Sequence, residues 1–168
     1  MNLSVEQLSR YLNPVFIETG SFIGDGVQAA LDAGFETIYS IEIDVSLANE
    51  THDRFKEHRN VHVICGSSPQ MLVGLNPHKP CTFLLDAHFD GGRTGKDDSI
   101  PAYPIVEELN AIKDFDEARN SSILIDDFRL IDKNVFLEAL RIVHFINPSF
   151  RVELIHGAVP YDVVAICE

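Results

Sequence analysis

The stretch Val15-Phe-Ile-Glu-Thr-Gly-Ser-Phe-Ile-Gly-Asp-Gly26 decides how the chain is read. Three apolar residues, Val15, Phe16 and Ile17, run into an acid, Glu18, and then into Gly20, Gly24 and Gly26. A helix-like segment opens directly afterwards at Val27-Gln-Ala-Ala-Leu-Asp-Ala. Buried strand, glycine-rich turn and helix N-terminus together make a cradle for a nucleotide-like ligand. Glycine accepts positive φ and lets backbone N–H groups come close to a ligand, and a helix N-terminus supplies unpaired donors. Such turns are common, so the acid pair in Ile41-Glu-Ile-Asp44, on the next strand, carries much of the weight.

Outward from this stretch, strands and helices alternate. Apolar, β-branched runs predict strands at residues 15–19, 37–43, 61–65, 82–85 and 122–125. Val5, Leu8 and Leu12 at helical spacing, with Ser4 as N-cap, predict a helix over 4–12. Asn13-Pro14 ends it, because the residue before proline is pushed out of the α region. Further helices are predicted from the glycine turn to about Gly34, over 46–57, briefly at 69–72, over 104–113 and over 134–146. In the 104–113 segment Ile105, Leu109 and Ile112 share one face. The final strands, 151–155 and 162–167, are separated only by His156-Gly-Ala-Val-Pro-Tyr161. Alternation implies a parallel sheet covered on both faces, and the last pair implies an antiparallel hairpin at one edge.

The chain of 168 residues is read as a single domain. A net charge of −13 argues against a broad electrostatic footprint for nucleic acid, and no basic run suggests a polybasic tail. No apolar stretch is long enough to span a bilayer, and Met1-Asn-Leu-Ser-Val-Glu-Gln7 lacks the features of a signal peptide. Cys65, Cys81 and Cys167 sit among apolar strand residues without Cys-x-x-Cys spacing, which predicts reduced core cysteines in a cytoplasmic protein.

In an open parallel sheet, ligands bind beyond the carboxyl ends of the strands, where strand order reverses. Those ends carry Glu18, Gly20 and Ser21, then Glu42 and Asp44, then Gly66, Ser67 and Ser68. The fourth and fifth strands add Asp86, His88 and Asp90, then Asp126 and Asp127. Each has a structural alternative: Glu18, Ser67 and Ser68 can cap helices, and Asp126-Asp127 can form an Asx turn with a cap. Of Glu42 and Asp44, Glu42 is the preferred ligand for ribose hydroxyls and the other a turn residue. Asp86, Asp126 and Asp127 would repel one another unless protonated or joined by a cation, and oxygen ligands favour Mg²⁺ or Mn²⁺. His88 can complete that shell or act as general base. His52, His58, His62, His78, His144 and His156 show no ligand spacing, and Gly-x-Ser-x-Gly is absent.

These residues carry a resemblance. Nearly the whole chain resembles class I S-adenosylmethionine-dependent methyltransferases, which implies a Rossmann-like three-layer α/β sandwich. Its sheet would be seven-stranded and mostly parallel, with a C-terminal antiparallel hairpin. Glu18-Thr-Gly-Ser-Phe-Ile-Gly24 is similar to the family's first motif, implying Glu18, Gly20, Ser21, Phe22 and Gly24 around the methionine part of the cofactor. Ile41-Glu-Ile-Asp44 is similar to the second-strand motif, implying Glu42 as ribose ligand with Ile43 beside it. Gly66, Ser67 and Ser68 resemble the segment that lines adenine in the catechol O-methyltransferase branch.

Leu85-Asp-Ala-His88 with Ile125-Asp-Asp127 is similar to the metal-dependent O-methyltransferases acting on macrolide (macrocin) and aminocoumarin sugars. That implies Asp86, Asp126 and Asp127 as Mg²⁺ ligands, with Asp86 also at the cofactor and in catalysis. Where that group has an Asp base, this chain has His88. The implied activity is Mg²⁺-assisted O-methylation of a hydroxyl on a small molecule or sugar. Alternatives are a non-catalytic cofactor-binding scaffold or a metal-dependent hydrolase. The chain starts almost at strand one, so an acceptor pocket is expected from the 91–99 loop with Arg93 and Lys96, from Tyr103, or from a partner subunit in a homo-oligomer. Neither a nucleic-acid nor a membrane partner is expected. A nicotinamide-dinucleotide reading needs Gly-x-Gly-x-x-Gly, which Gly20-Ser-Phe-Ile-Gly-Asp-Gly26 does not fit.

Overall fold

A computed structural model describes residues 3–88 and 101–168. Seven strands form one sheet: β1 (Val15–Thr19), β2 (Thr37–Glu42), β3 (Val61–Cys65), β4 (Cys81–Leu85), β5 (Ser122–Ile125), β6 (Arg151–Ile155) and β7 (Val163–Cys167). Their order is β3-β2-β1-β4-β5-β7-β6. The first five are parallel, and β7 runs antiparallel between β5 and β6. The expected mostly parallel α/β sandwich with a terminal antiparallel hairpin is what the chain forms.

Side-chain alternation along β1 builds the two faces. Val15 and Ile17 point into a core with Phe83, Leu85, Ile123 and Ile125, covered by α4 (Ser68–Gly74), α5 (Ile105–Ile112) and α6 (Lys133–Ile146). Phe16 points the other way, to Ile38, Leu84 and Leu124. That second core is closed by α1 (Val5–Leu8), α2 (Asp25–Ala33) and α3 (Val45–Phe55). β1 and β4 are buried along their whole length, as strands covered on both faces must be.

Several boundaries differ from the sequence reading for local reasons. The predicted 4–12 helix is a four-residue helix with a Ser4–Gln7 capping box, and Ser9–Tyr11 tightens into a 3-10 turn before Asn13-Pro14. β2 stops at Glu42, since Asp44 caps α3 by accepting from the N–H groups of Ser46 (2.8 Å) and Leu47 (3.0 Å). β7 begins after Asp162, whose backbone and side chain bind the turn at Phe128–Leu130. Cys65, read as a core cysteine, is exposed at the end of edge strand β3, whereas Cys81 is buried; all three cysteines are free thiols. The 91–99 loop, with Arg93 and Lys96, and Asp90 lie outside the described residues. Among the described residues, no helix is long and apolar enough to cross a membrane.

Strand order reverses between β1 and β4, where the chain leaves the centre first to one side and then to the other. Gly20 sits at that point with φ +86°, and a Cβ there would lie 2.8 Å from the backbone oxygen of Asp86. Gly20→Ala therefore combines a strained backbone with a clash against main chain. Its expected cost is about 1–3 kcal/mol, checked by denaturant unfolding with unchanged slope.

Candidate functional site

The site is built at the carboxyl rim, beginning with the turn after β1. The N–H groups of Gly20 and Ser21 both donate to the Ile41 carbonyl, at 2.8 and 3.3 Å, which ties the turn to β2. Glu42, buried at the end of β2, accepts from the Phe22 N–H through Oε2 and from the Asp44 N–H through Oε1, both at 2.9 Å. Phe22 has φ +48°, and its carbonyl accepts from Thr51 Oγ1 at 2.9 Å. The Phe22 side chain is exposed, and Ile43, next to Glu42 in the chain, is half-buried. Glu42 thus holds the glycine turn and the start of α3 in one wall, with Gly24 as the left-handed N-cap of α2.

Glu18 lies on the α2 face of β1. Ser40 Oγ donates to its Oε1 at 2.6 Å and in turn meets Ser21 Oγ. A Cβ on Gly26 would fall 1.8 Å from Glu18 Oε2, so the absent side chain is what makes room for the carboxyl. Burial pushes the Glu18 pKa up to about 8, partly offset by the Ser40 hydrogen bond. The cap alternative gives way to a buried acid under the first turn of α2.

At the end of β3, Ser67 occupies the N-cap position of α4 but makes no side-chain cap. Its Oγ is buried without a hydrogen-bond partner, a costly state for a hydroxyl unless something polar arrives there. Ser68 Oγ donates to Glu108 Oε1 at 2.5 Å. Glu108, on α5, is fully buried, and its other oxygen has no hydrogen-bond partner. Burial raises its pKa to about 8 against the opposing effect of the Ser68 and Thr19 hydroxyls.

The ends of β4 and β5 bring Asp86, His88 and Asp127 together, with one ligand atom from each inside a 4.8 Å group. His88 is wedged between the carboxylates: Nδ1 is 3.6 Å from Asp86 Oδ1 and Nε2 is 3.6 Å from Asp127 Oδ2. Its ring stacks on Tyr103 with centroids 5.5 Å apart. Burial, then Asp126, then Asp127 push the Asp86 pKa up to about 7. Asp126 is buried outside that group, and its Oδ1 accepts the N–H of Asp127 at 2.9 Å, an Asx-like contact. Two carboxylates and an imidazole at this spacing suit a divalent cation, with the nitrogen donor widening the choice from Mg²⁺ towards Mn²⁺ or Zn²⁺.

Solved structures with the same architecture are numerous and share few identical residues with this chain. An S-adenosylhomocysteine-bound methyltransferase from Podospora anserina superposes with a TM-score of 0.65 at 16% identity, covering 97% of this chain and 75% of that one. The chain has the methyltransferase fold. A rRNA methylase from Streptococcus thermophilus matches with a TM-score of 0.59 at 13% identity, covering 98% of this chain and 93% of that one. A precorrin-6y C5,15-methyltransferase from Geobacter metallireducens matches with a TM-score of 0.57 at 14% identity, covering 95% and 82%. No family model matches the sequence, and no curated protein matches it.

On the methyltransferase fold, two groups at the rim escaped the sequence reading. Glu108 had a visible signal: it falls three residues after Ile105 and four before Ile112, on the apolar face of α5. An acid in that register is either an error of phase or a buried proton carrier. Arg129 had none, because its partner Asp162 lies far along the chain; the guanidinium meets both Asp162 and Asp127.

Glu108 also sets a pH dependence. Its pKa rises from 4.5 unfolded to about 8 folded, so the folded state holds the proton more tightly. The stabilisation is complete below the unfolded value and is lost as pH climbs through the folded one. Glu108→Gln, which cannot titrate, should lose less stability than wild type between pH 5 and 8, read from melting temperatures across that range. Equal slopes would contradict the assignment.

Proposed function

We propose that the protein is an S-adenosylmethionine-dependent methyltransferase acting on a hydroxyl of a small molecule or sugar, assisted by a divalent cation such as Mg²⁺. One observation carries the reading: the enclosed Glu42 carboxylate clasps the Phe22 N–H, so the glycine turn of β1 and the acid of β2 form one wall at the switch point. Both oxygens of Glu42 retain lone pairs, which suits two ribose hydroxyls. Glu18, Gly20, Ser21, Phe22 and Gly24 surround the position for the methionine end, and Ile43, Gly66, Ser67 and Ser68 that for adenine. The orphaned Ser67 hydroxyl supports a polar ligand at that end. The bound cofactor would supply an electrophilic sulfonium methyl.

Asp86 and Asp127, with the adjoining Asp126, would hold the cation, whose contribution is Lewis acidity toward the acceptor oxygen. His88 takes the acceptor proton on a ring nitrogen, and Asp86 and Asp127 orient the imidazole from either side. Tyr103, stacked on that ring, limits its rotation and borders the acceptor side. Alignment of hydroxyl and methyl then supplies much of the acceleration. The fold is shared with a rRNA methylase, so architecture alone leaves nucleic-acid acceptors open. A net charge of −13 favours a small acceptor.

Calorimetry with S-adenosylhomocysteine tests the reading, and absence of binding sinks it. Glu42→Gln should weaken that binding by about 10–100-fold, the worth of a hydrogen bond to a charged group. Asp126→Asn should instead weaken Mn²⁺ binding while leaving S-adenosylhomocysteine affinity nearly intact. Equal loss of both would contradict the division between cofactor and cation residues.

A further inference from the structure

The turn after β5 carries an ion-pair chain that the methyl-transfer reading leaves unused. Asp127 has φ +52°, in the left-handed region, and is followed by the 3-10 turn Phe128–Leu130. Asp162, buried just before β7, fastens that turn twice: its carbonyl accepts the Phe128 N–H and its Oδ1 accepts the Arg129 N–H, both at 2.9 Å. The Arg129 side chain then folds back over its own turn. Its Nη1 pairs with the second Asp162 oxygen and lies 2.8 Å from Asp127 Oδ1. The other Asp127 oxygen faces His88 Nε2. A buried aspartate therefore steers a cation onto one oxygen of the carboxylate that the cation group needs.

We propose that the Arg129 guanidinium, braced by Asp162, is the resident counter-ion of Asp127 and competes with a divalent cation for that carboxylate. The inference rests on the cation site of the proposed function. Arginine stays charged at every physiological pH and offers several donors in a fixed fork, so one group can serve Asp162 and Asp127 together. A divalent ion arriving at Asp86 and Asp127 meets a positive charge already seated on Asp127 Oδ1. It must displace that charge or bind against it. Arg129 has the freedom to yield, since its side chain is 47% exposed while that of Asp162 is 2% exposed. Arg129 thus offsets part of the rim's negative charge without metal and raises the ion concentration that metal occupancy requires.

Mn²⁺ titrated calorimetrically into the whole chain tests this, with S-adenosylhomocysteine binding measured alongside. Arg129→Gln keeps an amide donor facing Asp162 and removes the charge. Mn²⁺ should then bind about tenfold or more tightly than in wild type, since a like charge has left the contact. S-adenosylhomocysteine affinity should stay within about twofold, as expected for a site that shares no partner with the change. Mn²⁺ binding that is unchanged or weaker in Arg129→Gln overturns the counter-ion role and leaves the cation site standing. No Mn²⁺ binding in either protein overturns both, while the S-adenosylhomocysteine arm still judges the cofactor reading separately. In unmodified protein, saturating Mg²⁺ should shift the Arg129 side-chain N–H resonances; saturation without a shift overturns the proposal independently of any variant.

Discussion

The contact between the turn after β1 and the backbone at the end of β4 is the constraint on which the rest depends. Gly20 meets the Asp86 carbonyl at a distance that leaves no place for a side chain, and its N–H is spent on β2. Three neighbouring strands are therefore locked in height at the point where strand order reverses. Whatever stands at their ends stands on the same rim of the sheet. Glu42, Asp86 and the glycine turn are neighbours because main chain packs on main chain there, with no side chain in between to adjust the gap.

That packing creates an electrostatic problem, which the chain meets with hydroxyls and protons. Glu18 on one face of β1 and Glu108 beneath the other are both buried, and each is matched by a serine, Ser40 and Ser68. Each is held as an acid with a raised pKa. At the rim itself Asp86 is closest to exchanging its proton near neutrality, and the side chains of His88 and Arg129 are arranged around Asp127. Buried carboxyls without compensating charge cost stability unless neutralised.

Much of the architecture was legible because strand and turn signals in this chain are local. Val15–Thr19 alternates into both cores, the glycines follow at once, and Asn13-Pro14 and Gly34 punctuate the helices. The errors were of a different kind. Asp44 was paired with Glu42 by their spacing on a strand, yet β2 ends first and Asp44 becomes a helix cap. Ser67 was offered as a cap and makes none, its hydroxyl lying buried without a hydrogen-bond partner. The partnership of Asp162 with Arg129 and Asp127 crosses the sheet by way of an antiparallel strand, and nothing local in the sequence announces it. Individual acids could be read; which of them share a cation could not.

The position of β7 has a consequence for biosynthesis. It follows the other six strands along the chain yet lies between β5 and β6, not at the margin of the sheet. While residues 163–167 are still inside the ribosome, β5 offers an unpaired row of amides and carbonyls, the kind of surface that recruits other chains. Asp162 is withheld for the same interval, so the nascent protein carries Arg129 and Asp127 without their brace. Completion of the rim and closure of the sheet are one event, which waits for β7.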